Sequence, residues 1–179
     1  DYAVVSGTSE VSGQSKVHGC ACLSDRSTIL SSDISGNARL RYAAKVINSK
    51  VYGNVVINYT LKDSDCSDIK ACIRGSLGLL PDKNNGYTLW KKVNTTNRDN
   101  EFTSCYDPDF TYYIGRIKSV KNPDMRWENS CASGIHLSLP DYWSAGNALI
   151  ACWVDLEDII TCQEGKVRCK KVKVLRREE

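Results

Sequence analysis

The first third of the chain repeats a short pattern in which an aliphatic residue returns every six positions. Five aliphatic residues follow one another at this interval: Val5, Val11, Val17, Leu23 and Ile29. A small residue stands two positions before each of them: Ala3, Ser9, Ser15, Ala21 and Ser27. A period of six fits neither the 3.6-residue turn of an α-helix nor the two-residue alternation of a flat strand. This region is therefore predicted to fold as neither a helix nor a long strand.

The pattern continues to residue 57 with two slips of a single residue. It slips by one to reach Ile34, resumes at Leu40 and Val46, and slips again before Val51 and Ile57. Gly or Asp often stands four positions before the aliphatic residue: Gly7, Gly13, Gly19, Asp25, Gly36 and Gly53. Each unit therefore has the form Gly-x-small-x-aliphatic-x.

A unit of six residues predicts one short strand and a bend, so that three units close one triangular coil. Successive coils stack about 4.8 Å apart and hydrogen-bond to each other. The aliphatic residue points inward, the small residue fits near a corner, and glycine permits the turn. These properties resemble the left-handed parallel β-helix of hexapeptide-repeat proteins. Residues 35–40 and 51–54 are also similar to the Gly-Asn-Ala-x-Val arrays of phage-encoded proteins.

Two other folds stay open for this region. A meander of short Ser- and Gly-rich strands would share its composition, but ten triplets with the small residue at a fixed offset favour a solenoid. A right-handed pentapeptide-repeat coil would fit the two spacings of five, whereas six dominates. The predicted fold class is mainly β, a short left-handed β-helix followed by a small β-rich or α+β domain.

The repeat weakens after Ile57, where Leu61, Ile69 and Ile73 could continue it as a fourth coil. Pro, Asn and Gly between residues 78 and 86 indicate a linker. We expect a β-helix over residues 1–76, a linker over 77–86 and a C-terminal domain over 87–179. Three inward aliphatic residues per coil, at roughly 1.5–3 kcal/mol each, stabilise a short solenoid only marginally, so it needs caps or partners. Hexapeptide β-helix proteins associate along their flat faces, and the resemblance implies a homotrimer.

Amino-acid composition restricts the partners and the cellular compartment that the chain fits. The 179 residues are 41% hydrophobic with a net charge of +3, too small to indicate a nucleic-acid partner by itself. No run of about 18 apolar residues occurs, so no membrane span is predicted. Nine cysteines, an odd number, favour reduced thiols in a cytosolic protein over a secreted disulfide scaffold. The chain opens at Asp1 without an initiator Met, and we interpret it as a processed piece of something longer.

Residues 87–177 lose the repeat and show short β patterns. Strands are predicted within four segments, with one helical turn near 140–148: 88–93, 110–117, 147–160 and 165–175. Several short motifs occur in order: Trp90-Lys91-Lys92-Val93, Tyr113-Ile114-Gly115, Cys131-Ala132-Ser133-Gly134-Ile135-His136, Asp158-Ile159 and Gly165-Lys166-Val167-Arg168. They resemble an uncharacterised domain of phage and giant-virus proteins that often adjoins repeat arrays. The resemblance implies a viral origin and no particular reaction.

His136 is the strongest candidate for chemistry. Its segment is similar to the Gly-Ile-Tyr strand motif of ADP-ribosyltransferases, in which an adjoining aromatic residue or histidine lines the nicotinamide pocket. That resemblance implies that Tyr142 lies in the following turn and that a late glutamate, Glu157 or Glu164, polarises the ribose. The Ser-Thr-Ser strand of those enzymes is absent. A buried histidine hydrogen-bonded to the main chain is the simpler interpretation, and whether the chain is an enzyme stays open.

Three further sites follow from side-chain chemistry. Four soft ligands could bind zinc, although they lack the usual Cys-x2-Cys spacing: Cys131, His136, Cys162 and Cys169. His18 lies in the repeat, where hexapeptide-repeat acyltransferases carry a histidine base, but it occupies a variable position. A basic segment could contact phosphates or form a solvated edge: Lys166, Arg168, Lys170, Lys171, Lys173, Arg176 and Arg177. No resident cofactor is predicted.

Together these patterns predict a viral, phage-derived structural or interaction protein. A trimeric β-helix would present a C-terminal binding domain to an unidentified protein partner, in the virion or in the host cytoplasm. A degenerate ADP-ribosyltransferase-like or nucleotide-binding domain on the same scaffold is the alternative. The large rings of this domain favour burial in its core: Trp90, Tyr113, Trp127, Trp143 and Trp153.

Overall fold

The computed structural model describes residues 1–179 and divides into two compact units. The first unit comprises Asp1–Leu79 with Cys162–Glu164, and the second comprises Leu80–Thr161 with Gly165–Glu179. The chain is mainly β, a parallel β-solenoid of about 3 turns followed by an antiparallel sheet domain, as the repeat predicts. None of its helices has the length and apolar character that crossing a bilayer requires.

Short strands build the solenoid as three parallel sheets. The first sheet contains β1 (Val4–Val5), β4 (Cys22–Leu23), β7 (Arg39–Leu40) and β10 (Val56–Ile57). The second contains β2 (Glu10–Ser12), β5 (Thr28–Leu30), β8 (Lys45–Ile47) and β11 (Thr60–Lys62). The third contains β3 (Lys16–Val17), β6 (Asp33–Ile34) and β9 (Lys50–Val51). Each sequence unit therefore supplies one strand, and three units make one coil.

The register of these sheets confirms the predicted coil. Val5 pairs with Leu23, which stands three full units later in the chain. Leu23 then pairs with Leu40 and Leu40 with Ile57, and both steps are shorter than the first because the pattern slips once in each of those coils. Leu23, Leu40 and Ile57 are all 0% exposed and stack as one inward column. The slips therefore leave the inward positions aligned.

Small residues allow successive coils to approach closely at the corners. Gly36 has a φ of 64°, and a Cβ added to it would lie 2.8 Å from the nitrogen of Gly53 in the next coil. At another corner the Ser32 amide donates to Ser15 Oγ over 3.2 Å, and the Ser49 amide donates to Ser32 Oγ over 3.1 Å. Ser32 and Ser49 are each only 4% exposed. Their hydroxyls satisfy buried amides that a larger apolar residue would leave unpaired.

A helix follows the last strand of the solenoid. Residues 69–77 form α1 (Ile69–Leu77), so the predicted continuation of the repeat through Ile69 and Ile73 is wrong. Asp68 Oδ1 caps this helix by accepting a hydrogen bond from the Ala71 amide over 2.9 Å, and Gly78 ends it with a φ of 70°. The helix packs on the last coil, because Gly75 lies directly against the Tyr59 ring.

The first coil is more open than the later ones. Val5 and Val11 occupy inward positions of the repeat but remain 50% and 42% exposed. The corresponding residues one coil later, Leu23 and Ile29, are 0% exposed. The solenoid therefore has one end covered by α1 and one end with exposed apolar side chains.

The second unit is built on an antiparallel sheet. Its strands are β12 (Gly86–Thr95), β13 (Glu101–Ser104), β14 (Thr111–Tyr113), β15 (Ile117–Ser119), β16 (Ile135–Ser138), β17 (Ala148–Asp155), β18 (Ile159–Gln163), β19 (Lys166–Cys169) and β20 (Lys171–Glu178). The strand order is β15-β20-β17-β12-β16-β19-β18, and β13 pairs with β12 and β14. Short 3₁₀ helices occupy Pro140–Tyr142 and Leu156–Asp158.

Strands occur in all four predicted segments of this half. Gly115, with a φ of 79°, separates β14 from β15. Residues 147–160 and 165–175 each contribute to two strands rather than one. The boundary between the two units falls after Leu79, inside the segment 77–86 that the sequence marks as a linker.

Candidate functional site

A cleft of about 800 Å³ opens in the second unit. Strands β12, β16 and β19 contribute polar side chains to its lining: Lys91, His136 and Lys166. Aromatic rings from the surrounding loops and turns line it as well, among them Phe110, Tyr142 and Trp143. The cleft therefore combines basic groups with apolar ring surfaces.

The Gly-Ile-His and Gly-Lys-Val-Arg motifs meet beside this cleft. His136 pairs with Arg168 across the antiparallel strands β16 and β19, and Ser138 pairs with Lys166. A Cβ added to Gly134 would lie 2.7 Å from Arg168 Cγ. The glycine of the first motif therefore leaves room for the arginine of the second.

Arg168 is 1% exposed and organises the loop that precedes β16. Its guanidinium donates hydrogen bonds to four main-chain carbonyls, those of Asp124, Arg126, Asn129 and Ser133. Ser133 and its neighbour Gly134 line the cleft. Arg168 thus supports one wall of the site from behind, in a role that suits the planar fork of arginine donors.

Replacing Arg168 with Met is expected to loosen residues 124–133. Four carbonyls would lose a charged donor, and such hydrogen bonds contribute about 1.5–3 kcal/mol each when buried. Hydrogen exchange of the amides in this loop should accelerate at least tenfold, while the amides of β4–β9 keep their protection. The matched control is Lys173→Met on β20, where the side chain is exposed. Unchanged exchange in the loop would contradict this role for Arg168.

Lys91 is buried without a negatively charged neighbour. It is 4% exposed and lies on β12 between Leu89 and Val93, which are both 0% exposed. Its Nζ donates to the His136 carbonyl over 3.4 Å and lies 5.2 Å from the centroid of the Trp143 ring. Burial lowers the pKa of the Lys91 ammonium below its ordinary value of 10.5. Desolvation of this cation therefore destabilises the folded state.

His136 presents a neutral ring to the same region. Burial, followed by the charges of Lys91, Lys166 and Arg168, lowers the pKa of His136 from 6.5 to about 4. A hydrogen bond to the main chain of Ser130 acts in the opposite direction. The buried Nε2 atom has no hydrogen-bond partner. The imidazole is therefore uncharged at pH 7, and one of its ring nitrogens is buried without a hydrogen-bond partner.

Lys166 adds a second cation to the cleft. It is 7% exposed, and its Nζ donates to Ser130 Oγ over 2.9 Å. Asp107 is the one acidic residue in the lining. Lys91, Lys166 and Arg168 all lower the pKa of His136, so this part of the domain carries a positive potential.

The residues singled out for transferase chemistry are only partly brought together. His136 and Tyr142 both line the cleft, and the Tyr142 ring packs edge-on against Trp143 with centroids 4.9 Å apart. Glu157 lies in the 3₁₀ helix Leu156–Asp158, where it is exposed and outside the lining. Glu164 also lies outside the lining and accepts a hydrogen bond from the Tyr42 hydroxyl over 2.7 Å. The cleft therefore contains His136 and Tyr142 without either predicted glutamate.

The four candidate zinc ligands occupy different surroundings. Cys131 and His136 line the cleft. Cys169 is fully buried and its thiol donates to the Ile135 carbonyl over 3.3 Å, whereas Cys162 is grouped with the first unit. No group of three or more His, Cys, Asp or Glu side chains is arranged to hold a metal ion.

The basic C-terminal segment forms two strands, β19 and β20, with Lys170 between them. Lys166 and Arg168 are buried, and Lys170 and Lys171 lie 3.5 Å and 2.9 Å from the carboxylate of Asp158. Lys173 is exposed. The cations therefore do not form one continuous exposed row. In the solenoid, His18 is hydrogen-bonded to Asp33 over 2.8 Å at the surface.

The presence of Lys91 and Trp143 side by side in the site was not predicted from the sequence. A signal for Lys91 exists in the alternation of β12, where Tyr87, Leu89 and Val93 are the other buried residues of the row. A lysine in an apolar row of this kind indicates a buried charge. No known protein family, characterised protein or solved structure matches this chain, so the candidate site rests on its own geometry.

Proposed function

We propose that this protein is a phage-derived viral interaction protein in which a trimeric β-helix presents a ligand-binding sheet domain. The cleft of the second unit carries the proposal, because Lys91 and His136 both line it, Lys91 is a buried cation and the Nε2 of His136 is buried without a partner. Buried polar groups without partners destabilise a fold, and a bound ligand can supply the missing partner. The resemblance of residues 35–40 and 51–54 to phage-encoded arrays supports the phage origin, and a phage protein would act in the virion or in the host cytoplasm.

The trimer and the left-handed, hexapeptide-type winding belong to the same proposal. Regular parallel sheets give the solenoid flat faces that can pack against copies of themselves. Leu30 is 41% exposed on β5 and pairs with Ile47 on β8, so the second sheet offers apolar contact area. Covering such side chains would stabilise a short solenoid whose first coil is open.

Native mass spectrometry of the freshly purified protein tests the assembly. The expected result is a species of three times 19.9 kDa. Leu30→Glu is expected to dissociate it, because the substitution places three carboxylates in the apolar contact. Lys16→Glu, on the third sheet, is the matched control and should leave the trimer intact. A wild-type monomer at micromolar concentration would contradict the proposed trimer.

A nucleotide-binding, degenerate ADP-ribosyltransferase-like domain is the second candidate. One observation favours it, namely that His136 and Tyr142 line the same cleft. Calorimetric titration with NAD tests this candidate. Binding that is lost in His136→Ala would support it, whereas NAD binding that is absent, or unchanged in the variant, would remove it.

A further inference from the structure

A ligand of the cleft would meet Lys91 as an unbalanced charge. The ammonium contacts a carbonyl and an aromatic ring, and neither neutralises a full positive charge. The groups that raise its pKa are the thiols of Cys105, Cys152 and Cys169, and burial raises the pKa of the Cys152 and Cys169 thiols, which are therefore uncharged at pH 7. Lysine is rarely this buried unless it is paired with an anion. A carboxylate or phosphate at the Lys91 end of the cleft would balance this charge.

The second polar contact would come from His136. Its hydrogen bond to the Ser130 main chain raises the pKa, as expected when a carbonyl accepts a proton from the ring. Since Nε2 is the unpartnered nitrogen, Nδ1 carries that proton and Nε2 bears a lone pair. A neutral imidazole in this tautomer accepts hydrogen bonds, so the ligand group facing it must be a donor such as a hydroxyl or an N–H.

The third element is a pair of rings. Tyr142 and Trp143 line the cleft with an interplanar angle of 79°, and the Trp143 ring also faces the Lys91 ammonium. Perpendicular rings provide two apolar surfaces against which a sugar or base can pack. A cavity of about 800 Å³ is large enough for a molecule the size of a nucleotide or a sugar acid.

We propose that the cleft binds a small acidic molecule whose phosphate or carboxylate lies against Lys91 and Lys166. A hydroxyl or N–H of its ring donates to His136 Nε2, and the ring packs on Tyr142 and Trp143. This assignment rests on the proposed role of the cleft as the binding site. Phosphate and carboxylate share the same recognition chemistry, and the test separates them.

Binding is measured by calorimetry with two matched pairs of probes, AMP against adenosine and glucuronate against glucose. At least one anion is expected to bind at least tenfold more tightly than its neutral counterpart and to shift the ¹⁵N signal of His136 Nε2. Preference within the AMP pair assigns a phosphate, and preference within the glucuronate pair assigns a carboxylate. If neither anion binds more tightly than its neutral counterpart, the inference is overturned.

Lys91→Met keeps the length of the side chain and removes the charge. It is expected to weaken binding of the preferred anion at least tenfold, while the melting temperature without ligand stays the same or rises because a desolvated cation is gone. Lys92→Met is the matched control, since Lys92 is the next residue on β12 and lies outside the lining, and it should bind like the wild type. Equal weakening in both variants would show that anion binding depends on the net charge of the protein and not on a specific site, and it would overturn the inference.

The two proposals fail in different ways. If the neutral and anionic probes bind equally and Lys91→Met does not change their binding, the cleft is still a binding site but its ligand is not acidic. Anion binding by a protein that is monomeric in native mass spectrometry would support the acidic ligand and remove the trimer.

Discussion

Replacing Leu40 with Ala is expected to lower the free energy of unfolding of the solenoid by about 2–5 kcal/mol. Leu40 is 0% exposed and stacks between Leu23 and Ile57 in adjacent coils. Backbone hydrogen bonds on all three faces fix the distance between coils, so the surrounding chain cannot collapse into the space that the leucine leaves. Urea denaturation monitored by circular dichroism measures this loss of unfolding free energy.

Val5→Ala is the control for this prediction because Val5 belongs to the same inward column. Its side chain is 50% exposed in the open first coil, so the substitution should cost less than about 1 kcal/mol. Equal losses for the two variants would contradict the difference between the open and the covered coils. A loss below about 1 kcal/mol for Leu40→Ala would show that the column does not stabilise the solenoid.

The solenoid was predictable because its folding rule is local. Each unit specifies one strand and one corner, and contacts between coils follow from repeating the unit. Even the slips in the pattern appear in the structure, because the step from Leu23 to Leu40 is shorter than the step from Val5 to Leu23. Residues that contact each other in the solenoid stand at fixed intervals in the repeat, so its fold depends little on distant parts of the chain.

Helix α1 was missed although its signals are present. Ile69, Ile73 and Leu77 recur at a spacing of four, which is a helical interval, and Asp68 stands at the N-cap position. The apolar residues alone also fit a weakening repeat of short strands. The cap and the Gly78 stop signal distinguish the two interpretations, because a strand uses neither.

The candidate site was predictable only in fragments. His136 and Arg168 lie in motifs that are far apart along the chain, and the antiparallel register of β16 and β19 makes them partners. That register is set by the whole sheet and cannot be read from either motif. The basic segment illustrates the same limit, since a turn at Lys170 sends Arg168 into the domain and leaves Lys173 outside.

The expectation that the five large rings are buried in the core is wrong, because the four tryptophans are half-buried and Tyr113 is 38% exposed. Trp90 and Trp153 are half-buried, and their indole N–H groups donate to Glu178 over 2.8 Å and to Asp82 over 2.9 Å. Trp143 donates to the Trp90 carbonyl over 3.0 Å while its ring lines the cleft. An indole has one polar atom that needs a partner, and this requirement holds each ring at the edge of the core.

Acidification is expected to destabilise the protein through His136. The pKa of His136 is about 4 in the folded chain and about 6.5 when unfolded, so between these values only the unfolded chain takes up the proton. The stabilisation is therefore present above pH 6.5 and is lost as the pH falls towards 4. Folded-state protonation would place a charge beside Lys91, Lys166 and Arg168, with Asp107 as the only acidic group in the lining.

Urea denaturation at pH 7.0 and pH 4.5 measures this effect as a difference between variants. His136→Gln has no proton to gain, so it should lose about 2 kcal/mol less stability than the wild type on acidification, since partial solvent contact reduces the full value. His18→Gln is the matched control, because His18 is the other histidine of the chain and its hydrogen bond to Asp33 lies at the surface. It should show the wild-type loss. If His136→Gln loses as much stability as the wild type, the buried imidazole does not carry the acid sensitivity, and its ring must be solvated or already paired.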